Sequence, residues 1–262
     1  MGDRRWVKIG IYVGAFCLAM VVTIFLATTY KAVFGPPQVV AAPTEVVEPA
    51  NQPERSGSQL IYAADNSGPA YTPNERVALA DPSNYGDRYT IDAYGQPLTN
   101  DYIAVLHETV WSANSAINTF QTHHPRDEDQ SSYHTIIDRD GTVIYVVPPD
   151  KRAYGAGNSV FDGANGQESV VTNPEFASSV NNFAYHISLV TPSDGQNNAP
   201  SHSGYTEAQY QSLAWLLART TIPEERITTH AMVDRSGSRQ DPRSFNWPHF
   251  LEDLHQYPNR QA

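Results

Sequence analysis

The chain has 262 residues, enough for one core of ordinary size plus appendages. Its 17 basic and 28 acidic side chains give a net charge of −11, which argues against a general affinity for nucleic acid, since that needs clustered Lys and Arg against phosphate. Cys17 is the only cysteine, which excludes an intramolecular disulfide and leaves His, Asp and Glu as the metal-binding side chains of the soluble part.

Residues 1–8 form a short tail carrying Arg4, Arg5 and Lys8 against Asp3 alone. Residues 9–30 then run for 22 positions without a charge, bounded by Lys8 and Lys31. About 20 such residues are what a helix needs to cross the hydrocarbon core. The basic flank places the tail in the cytoplasm and sends the remainder across the membrane. A cleavable signal peptide is the competing reading, but its apolar region is usually about 7–15 residues and ends at small residues. Either reading exports everything after Lys31. The expected location is therefore the cytoplasmic membrane, with one span and the folded domain on the periplasmic or extracellular side.

Residues 31–60, rich in Pro, Ala, Glu, Ser and Gln, show no helix or strand period and read as a linker whose role is reach. Residues 61–100 scatter Tyr, Pro, Gly and Asp and are expected to be an irregular lead-in. From 101 to 258 the pattern becomes that of a compact α/β domain. The segment 101–107 (DYIAVLH) is an apolar strand ending in His107. Ser112 caps a helix to about Thr122, with Ala116, Ile117 and Phe120 on one face. Residues 133–138 and 142–147 flank Arg139-Asp140-Gly141 as a hairpin. Segment 148–182 lacks periodicity and reads as a long loop of the kind that is often functional. Segment 183–190 is a further strand. Thr206 and Gln209 form a capping box that opens a helix through Arg219. Residues 226–230 form a brief strand ending in His230, and Asn246 caps a last helix anchored by Phe250, Leu251 and Leu254. Alternating strands and helices predict a central mixed β-sheet flanked by helices, preceded by the N-terminal transmembrane helix.

His107 and His230 end strands, and Asp241 lies in the loop just beyond His230. Strand ends and the loops after them are where an α/β scaffold presents functional groups. Two imidazoles and one carboxylate, with a fourth position for water, suit catalytic zinc. No HExxH motif is present, and nine histidines permit other triples.

The wording and order of the motifs narrow the choice. IAVLHETV (103–110), SSYHTIIDRDGTVIYVVP (131–148), RAYGAGNS (152–159), NNFAYHISLVTP (181–192), YTEAQYQSLAWLLART (205–220), IPEERITTHAMVD (222–234) and SRQDPRSFNWPHF (238–250) resemble the zinc-dependent N-acetylmuramoyl-L-alanine amidases, the type-2 amidase and peptidoglycan recognition protein family. The resemblance implies Zn2+ on His107, His230 and Asp241, and hydrolysis of the amide between N-acetylmuramic acid and L-alanine of the stem peptide. The implied partner is peptidoglycan or its muropeptide fragments. The alternative is a non-catalytic peptidoglycan-binding module of the same fold.

Carried over position by position, the catalytic tyrosine of one branch of the family falls on Tyr133 and the family's oxyanion-stabilising lysine on Arg239. Arg239 keeps the charge but cannot shuttle a proton. Another branch of the family carries a glutamate where this sequence has Ser188, which has no useful acid–base pKa, so the chain resembles the tyrosine-bearing branch. The histidine of the family's A-W-H-A-G motif is replaced by Gly155, so a side chain is expected to be missing from one wall. His134, Tyr154, Asn158 and Ser188 are candidate groove residues, with a satisfied core histidine the plain reading of His134 and a structural strand tyrosine that of Tyr133. Asn181 and Asn182 are further candidates for substrate hydrogen bonds. Glu108 follows His107 in the strand and is expected to face away from it. His123 and His124 suit a helix C-terminus, and His202 is expected to face solvent.

Overall fold

The computed structural model describes residues 68–261, so the expected tail 1–8, the apolar segment 9–30, the linker 31–60 and the first part of the lead-in lie outside the described residues. Among the described residues no helix is long and apolar enough to cross a membrane.

Hydrophobic periodicity builds the centre of the fold. Strand β3 (Ile103–Glu108) and strand β9 (Ala184–Leu189) are buried along their whole length, as near-continuous apolar runs demand of parallel strands covered on both faces. They pair in parallel with His107 opposite Ser188. With β1 (Glu75–Val77), β4 (Thr135–Ile137), β5 (Val143–Tyr145) and β10 (Ile227–Thr229) they form a six-stranded sheet ordered β1-β5-β4-β9-β3-β10. Only the β4–β5 pair is antiparallel, so the sheet is mixed. The hairpin turn closes through Asp138 and Thr142, and Gly141 takes φ +86° there. A Cβ at that position would meet the Tyr71 hydroxyl at 2.6 Å and the Ala208 carbonyl at 2.9 Å, so both its conformation and its space demand glycine.

Alternation along the strands sorts side chains to two faces. Ala104, Leu106, Tyr185, Ile187 and Leu189 pack with helix α2 (Glu207–Ala218) and helix α4 (Trp247–Leu254). The opposite face holds Ile103 and Val105 against Phe161 and Val180, and Ile136 and Ile144 against helix α1 (Ala113–Gln121). His107 and Ser188 fall on this second face by parity. Helix α2 is buried nearly all round, because the sheet covers one side and α4 the other.

The expected caps are all made. Ser112 Oγ accepts the Ser115 N–H, Asn246 Oδ1 accepts that of His249, and Thr206 with Gln209 makes both bonds of the capping box. Two expectations need correction. The stretch 61–100 is not irregular throughout: it supplies β1, an edge strand of the main sheet, and β2 (Tyr85–Asp87), which pairs with β6 (Lys151–Ala153). The long loop 148–182 contains β6 and also the hairpin β7 (Phe161–Gly163) and β8 (Gly166–Glu168).

Leu216 is fully buried between the sheet and α4, whereas Thr206 contributes one cap hydrogen bond pair at the surface. Leu216→Ala is expected to cost about 2–5 kcal/mol and Thr206→Ala about 1 kcal/mol in urea denaturation. A reversed order would show that α2 is held by its cap and not by its packing.

Candidate metal centre

Three segments deliver the site. His107 lies near the end of β3, with no exposed surface. Strand β10 stops at Thr229, whose hydroxyl accepts the Met232 N–H and caps the one-turn helix α3 (His230–Val233), so His230 occupies its first position. Asp241 follows in a loop that is tied back to α3 by the Ala231 N–H donating to the Asp241 carbonyl at 2.9 Å. The Asp241–Pro242 peptide is cis.

The side chains converge. His107 Nδ1 stands 3.3 Å and His230 Nδ1 3.1 Å from Asp241 Oδ2, and the three donor atoms lie within 4.8 Å of one another. The two rings meet edge to face at 4.6 Å. Burial pushes the His107 imidazolium down to about 4, so its ring is neutral at ordinary pH. Burial alone would raise the Asp241 carboxyl, but the adjacent His107 and His230 imidazoles outweigh it and hold the group well below the usual carboxylate range. His107 Nδ1 is buried and faces Asp241 without hydrogen-bonding geometry, an orphaned nitrogen of the kind that a metal ion would satisfy. Two imidazole nitrogens and a carboxylate oxygen are a donor set that fits a divalent ion of the zinc type. A second group of acid and imidazole side chains, Glu207, His249 and Asp253, sits on α2 and α4, where His249 is already paired with Glu207 at 2.9 Å.

Alternation sends Glu108 away from His107, as expected, and there it becomes the support of the Asp241 loop. Its buried carboxylate accepts from Arg243 Nε, from the Tyr205 hydroxyl at 2.9 Å, and pairs with His202 Nε2 at 3.0 Å. Arg243, two residues after Asp241, also donates to the carbonyls of Gly195, Asn197 and Ala199. His202 is therefore not solvent-facing: its side chain is completely buried against Glu108.

A cleft of about 1340 Å³ opens over the site, lined among others by Tyr133, Tyr154, Asn158, His230, Arg239 and Asp241. The Tyr133 ring stacks on His107 at 4.5 Å and meets Phe120 edge-on at 5.3 Å. Burial raises the Tyr133 phenol far above its ordinary value, so it stays protonated. Arg239 is exposed, and its backbone N–H is held by the Asp234 carboxylate that also organises Ser236 and Ser238. His123 and His124 pair with Asp81 and Asn84, away from the three donors.

Two groove candidates are not on the wall. His134 is fully buried, its Nδ1 accepting the His186 N–H at 2.9 Å and its Nε2 reaching the Lys151 carbonyl at 3.0 Å, so it is a satisfied core histidine. Ser188 is also fully buried, and its hydroxyl has no hydrogen-bond partner among the described residues. Asn181 and Asn182 spend their side-chain oxygens on the backbone N–H groups of Ala156 and Tyr89. Gly155 lines the cleft, and a Cβ there would fall 2.6 Å from the ring of the buried His186, which occupies the space behind it. Sequence reasoning passed over His186, and also Arg152 and Tyr89. The Arg152 guanidinium lies 4.8 Å from the Tyr89 ring centroid and 5.2 Å from that of Tyr154, forming one bank of the cleft. The YHIS pattern of an internal strand carried a visible signal for His186, a polar side chain in an otherwise buried run.

Comparison with known proteins places these observations in a family. The family model described as N-acetylmuramoyl-L-alanine amidase matches residues 99–244. The 1,6-anhydro-N-acetylmuramyl-L-alanine amidase AmpD of Salmonella typhimurium strain LT2 is 31% identical over 124 residues, which are 45% of this chain and 54% of that protein. The AmpD of Enterobacter cloacae is 29% identical over 119 residues, 44% of this chain and 52% of that one. The chain thus spans about half the length of these relatives. Among solved structures, a selenomethionine derivative of AmpD superposes with a TM-score of 0.48 at 23% identity, covering 70% of this chain and 96% of that one.

The buried groups set two expectations. His107, His134 and His186 all have imidazolium pKa values depressed by burial, from an ordinary value of 6.5. The unfolded chain takes up these protons below pH 6.5 while the folded chain does not, so stability is full above that pH and falls below it. Each imidazole contributes a slope of about 1.4 kcal/mol per pH unit until its folded form also protonates. Urea midpoints of the metal-free protein between pH 8 and 5 read this directly, and a flat profile would contradict the buried neutral rings. Arg243→Met leaves Glu108 buried without its cation and is expected to cost about 3–5 kcal/mol by the same measurement. A loss under about 1 kcal/mol, the scale of an exposed pair, would place the pair at the surface.

Proposed function

From the premise that the chain belongs to the N-acetylmuramoyl-L-alanine amidase family, we propose that it hydrolyses the amide between N-acetylmuramic acid and L-alanine of the peptidoglycan stem peptide, with Zn2+ held by His107, His230 and Asp241. The observation that carries this reading is the meeting of those three donors, one an orphaned buried nitrogen, at the floor of an open cleft. A zinc ion there would supply a Lewis acid for the scissile carbonyl and an activated water.

The chain's own residues supply the remainder. The Tyr133 phenol, kept protonated by burial, donates a hydrogen bond to the oxygen that becomes negative as the carbonyl carbon turns tetrahedral. Arg239, exposed on the rim, adds positive charge near the same oxygen or binds a carboxylate of the stem peptide. Ser188 takes no part as acid or base, because a serine hydroxyl does not ionise in the working range and this one is sealed from the cleft. Tyr133 stacked on His107 holds the imidazole plane, so one side chain both orients a ligand and faces the reacting carbonyl. A cleft of this volume exceeds the range of pockets that enclose a small molecule, roughly 300–1,000 Å³, and suits a segment of a polymer.

The uncharged run 9–30 and the linker that follows support a placement in the cytoplasmic membrane, with the catalytic domain on the periplasmic or extracellular side where peptidoglycan lies. The second reading, a peptidoglycan-binding module without hydrolysis, draws on Gly155, on Arg239 and on Ser188 at the position where one branch of the family carries glutamate, and the intact set of His107, His230 and Asp241 opposes it.

Purified peptidoglycan incubated with the protein should release stem peptide identified by mass. Release should stop on chelation and return with zinc. Tyr133→Phe should lower kcat about 10²–10³-fold with little change in metal content. Binding of wall fragments without peptide release at any zinc loading would establish the binding module instead.

A further inference from the structure

His186 touches the metal centre from behind, and nothing in the chemistry above uses it. Its Nδ1 lies 2.9 Å from Nε2 of His107, on the side of that ring opposite the Nδ1 that faces Asp241. Both rings are completely buried, so water does not compete for this contact. The backbone fixes His186 firmly. The His134 N–H donates to the His186 carbonyl at 3.0 Å, and the His186 N–H donates to His134 Nδ1 at 2.9 Å. The two rings lie nearly parallel, 11° apart with centroids at 5.8 Å.

The hydrogen bond between two neutral imidazoles has one donor and one acceptor, so it couples their tautomers. If His107 carries its proton on Nδ1, that atom has no lone pair for a metal ion. If the proton is on Nε2, it points at His186 Nδ1 and leaves the Nδ1 lone pair free toward Asp241 and His230. His186 Nε2 has no hydrogen-bond partner among the described residues, so no neighbour there opposes moving the His186 proton onto it. The ring has this position only because residue 155 is glycine, since a Cβ there would fall 2.6 Å from both Cγ and Nδ1 of His186.

We propose that His186 is a positioning residue of the metal centre: its Nδ1 accepts the Nε2–H of His107, holding that imidazole in the rotamer and tautomer that offer Nδ1 to the ion, and Gly155 leaves the room this requires. The inference rests on the zinc reading of the site. Outer partners of this sort, which fix the tautomer and raise the basicity of a ligating imidazole, typically change metal affinity 10–100-fold when removed.

The test compares the full chain with its His186→Leu, His186→Asn and Gly155→Ala variants. Leucine fills much of the volume without an acceptor, whereas asparagine places an amide oxygen near the position of Nδ1. Zinc dissociation constants from chelator competition are measured with thermal melting of the metal-free proteins, and long-range proton–nitrogen NMR reads the His107 tautomer. His186→Leu should weaken zinc 10–100-fold and mix the His107 tautomers, while His186→Asn should stay within a few-fold of the parent. Gly155→Ala, which keeps His186 but displaces its ring, should weaken zinc in the same direction and stands in if the leucine variant does not fold. Unchanged zinc affinity in the leucine and alanine variants, or equal losses in leucine and asparagine, would overturn the positioning role and leave the zinc reading intact. A parent protein that takes up no zinc would overturn both.

Discussion

The buried carboxylate of Glu108 is the constraint on which the site depends. It ends the strand that carries His107, and its bonds run to Arg243, His202 and Tyr205. Arg243 then gathers three carbonyls of the 195–199 loop and fixes the chain two residues beyond Asp241. A carboxylate removed from water needs every lone pair occupied, and here the partners that occupy them are the segments that must be held still for Asp241 to reach the two imidazoles. One strand thus performs both tasks by parity alone, presenting a ligand on one face and an anchor for another ligand on the other.

Much of this was legible before any coordinates. Apolar runs at 101–107 and 183–190 marked the inner strands, and Ser112, Thr206 and Asn246 marked helix starts because their side-chain oxygens serve orphan N–H groups. The direction of Glu108 followed from a two-residue period. What escaped has a common cause. Strand β1 reads Glu75-Arg76-Val77, exposed on an edge with no apolar alternation, so its pairing with β5 leaves no mark in composition. Strands β6, β7 and β8 are three residues each and equally polar. Within the hairpin β7–β8, only Ala164-Asn165-Gly166 hinted at a turn, and Gly166 takes φ +118° there.

The site residues divide in the same way. His107, His230 and Asp241 stood out by their position at strand ends and by motif order, and the structure brings them together. His202 was read as a loop residue facing water, because contact with Glu108 is made by folding and not by spacing. Gly155 looked like a hole when the chain was read one position at a time. Two segments distant in sequence share that volume, so the absence at 155 and the presence at 186 are one fact.

The early segment has a practical bearing on where the folded unit begins. The family match opens at residue 99, yet Arg88 donates to the carbonyls of Pro149, Asn182 and Ala184, and Asn84 braces Phe120 and Thr122. A protein trimmed to the match would strip β1 from β5 and bare a row of unpaired amide groups along the sheet margin. Such a margin recruits the equivalent strand of another molecule, and the shortened product would tend to self-associate where the longer one stays apart.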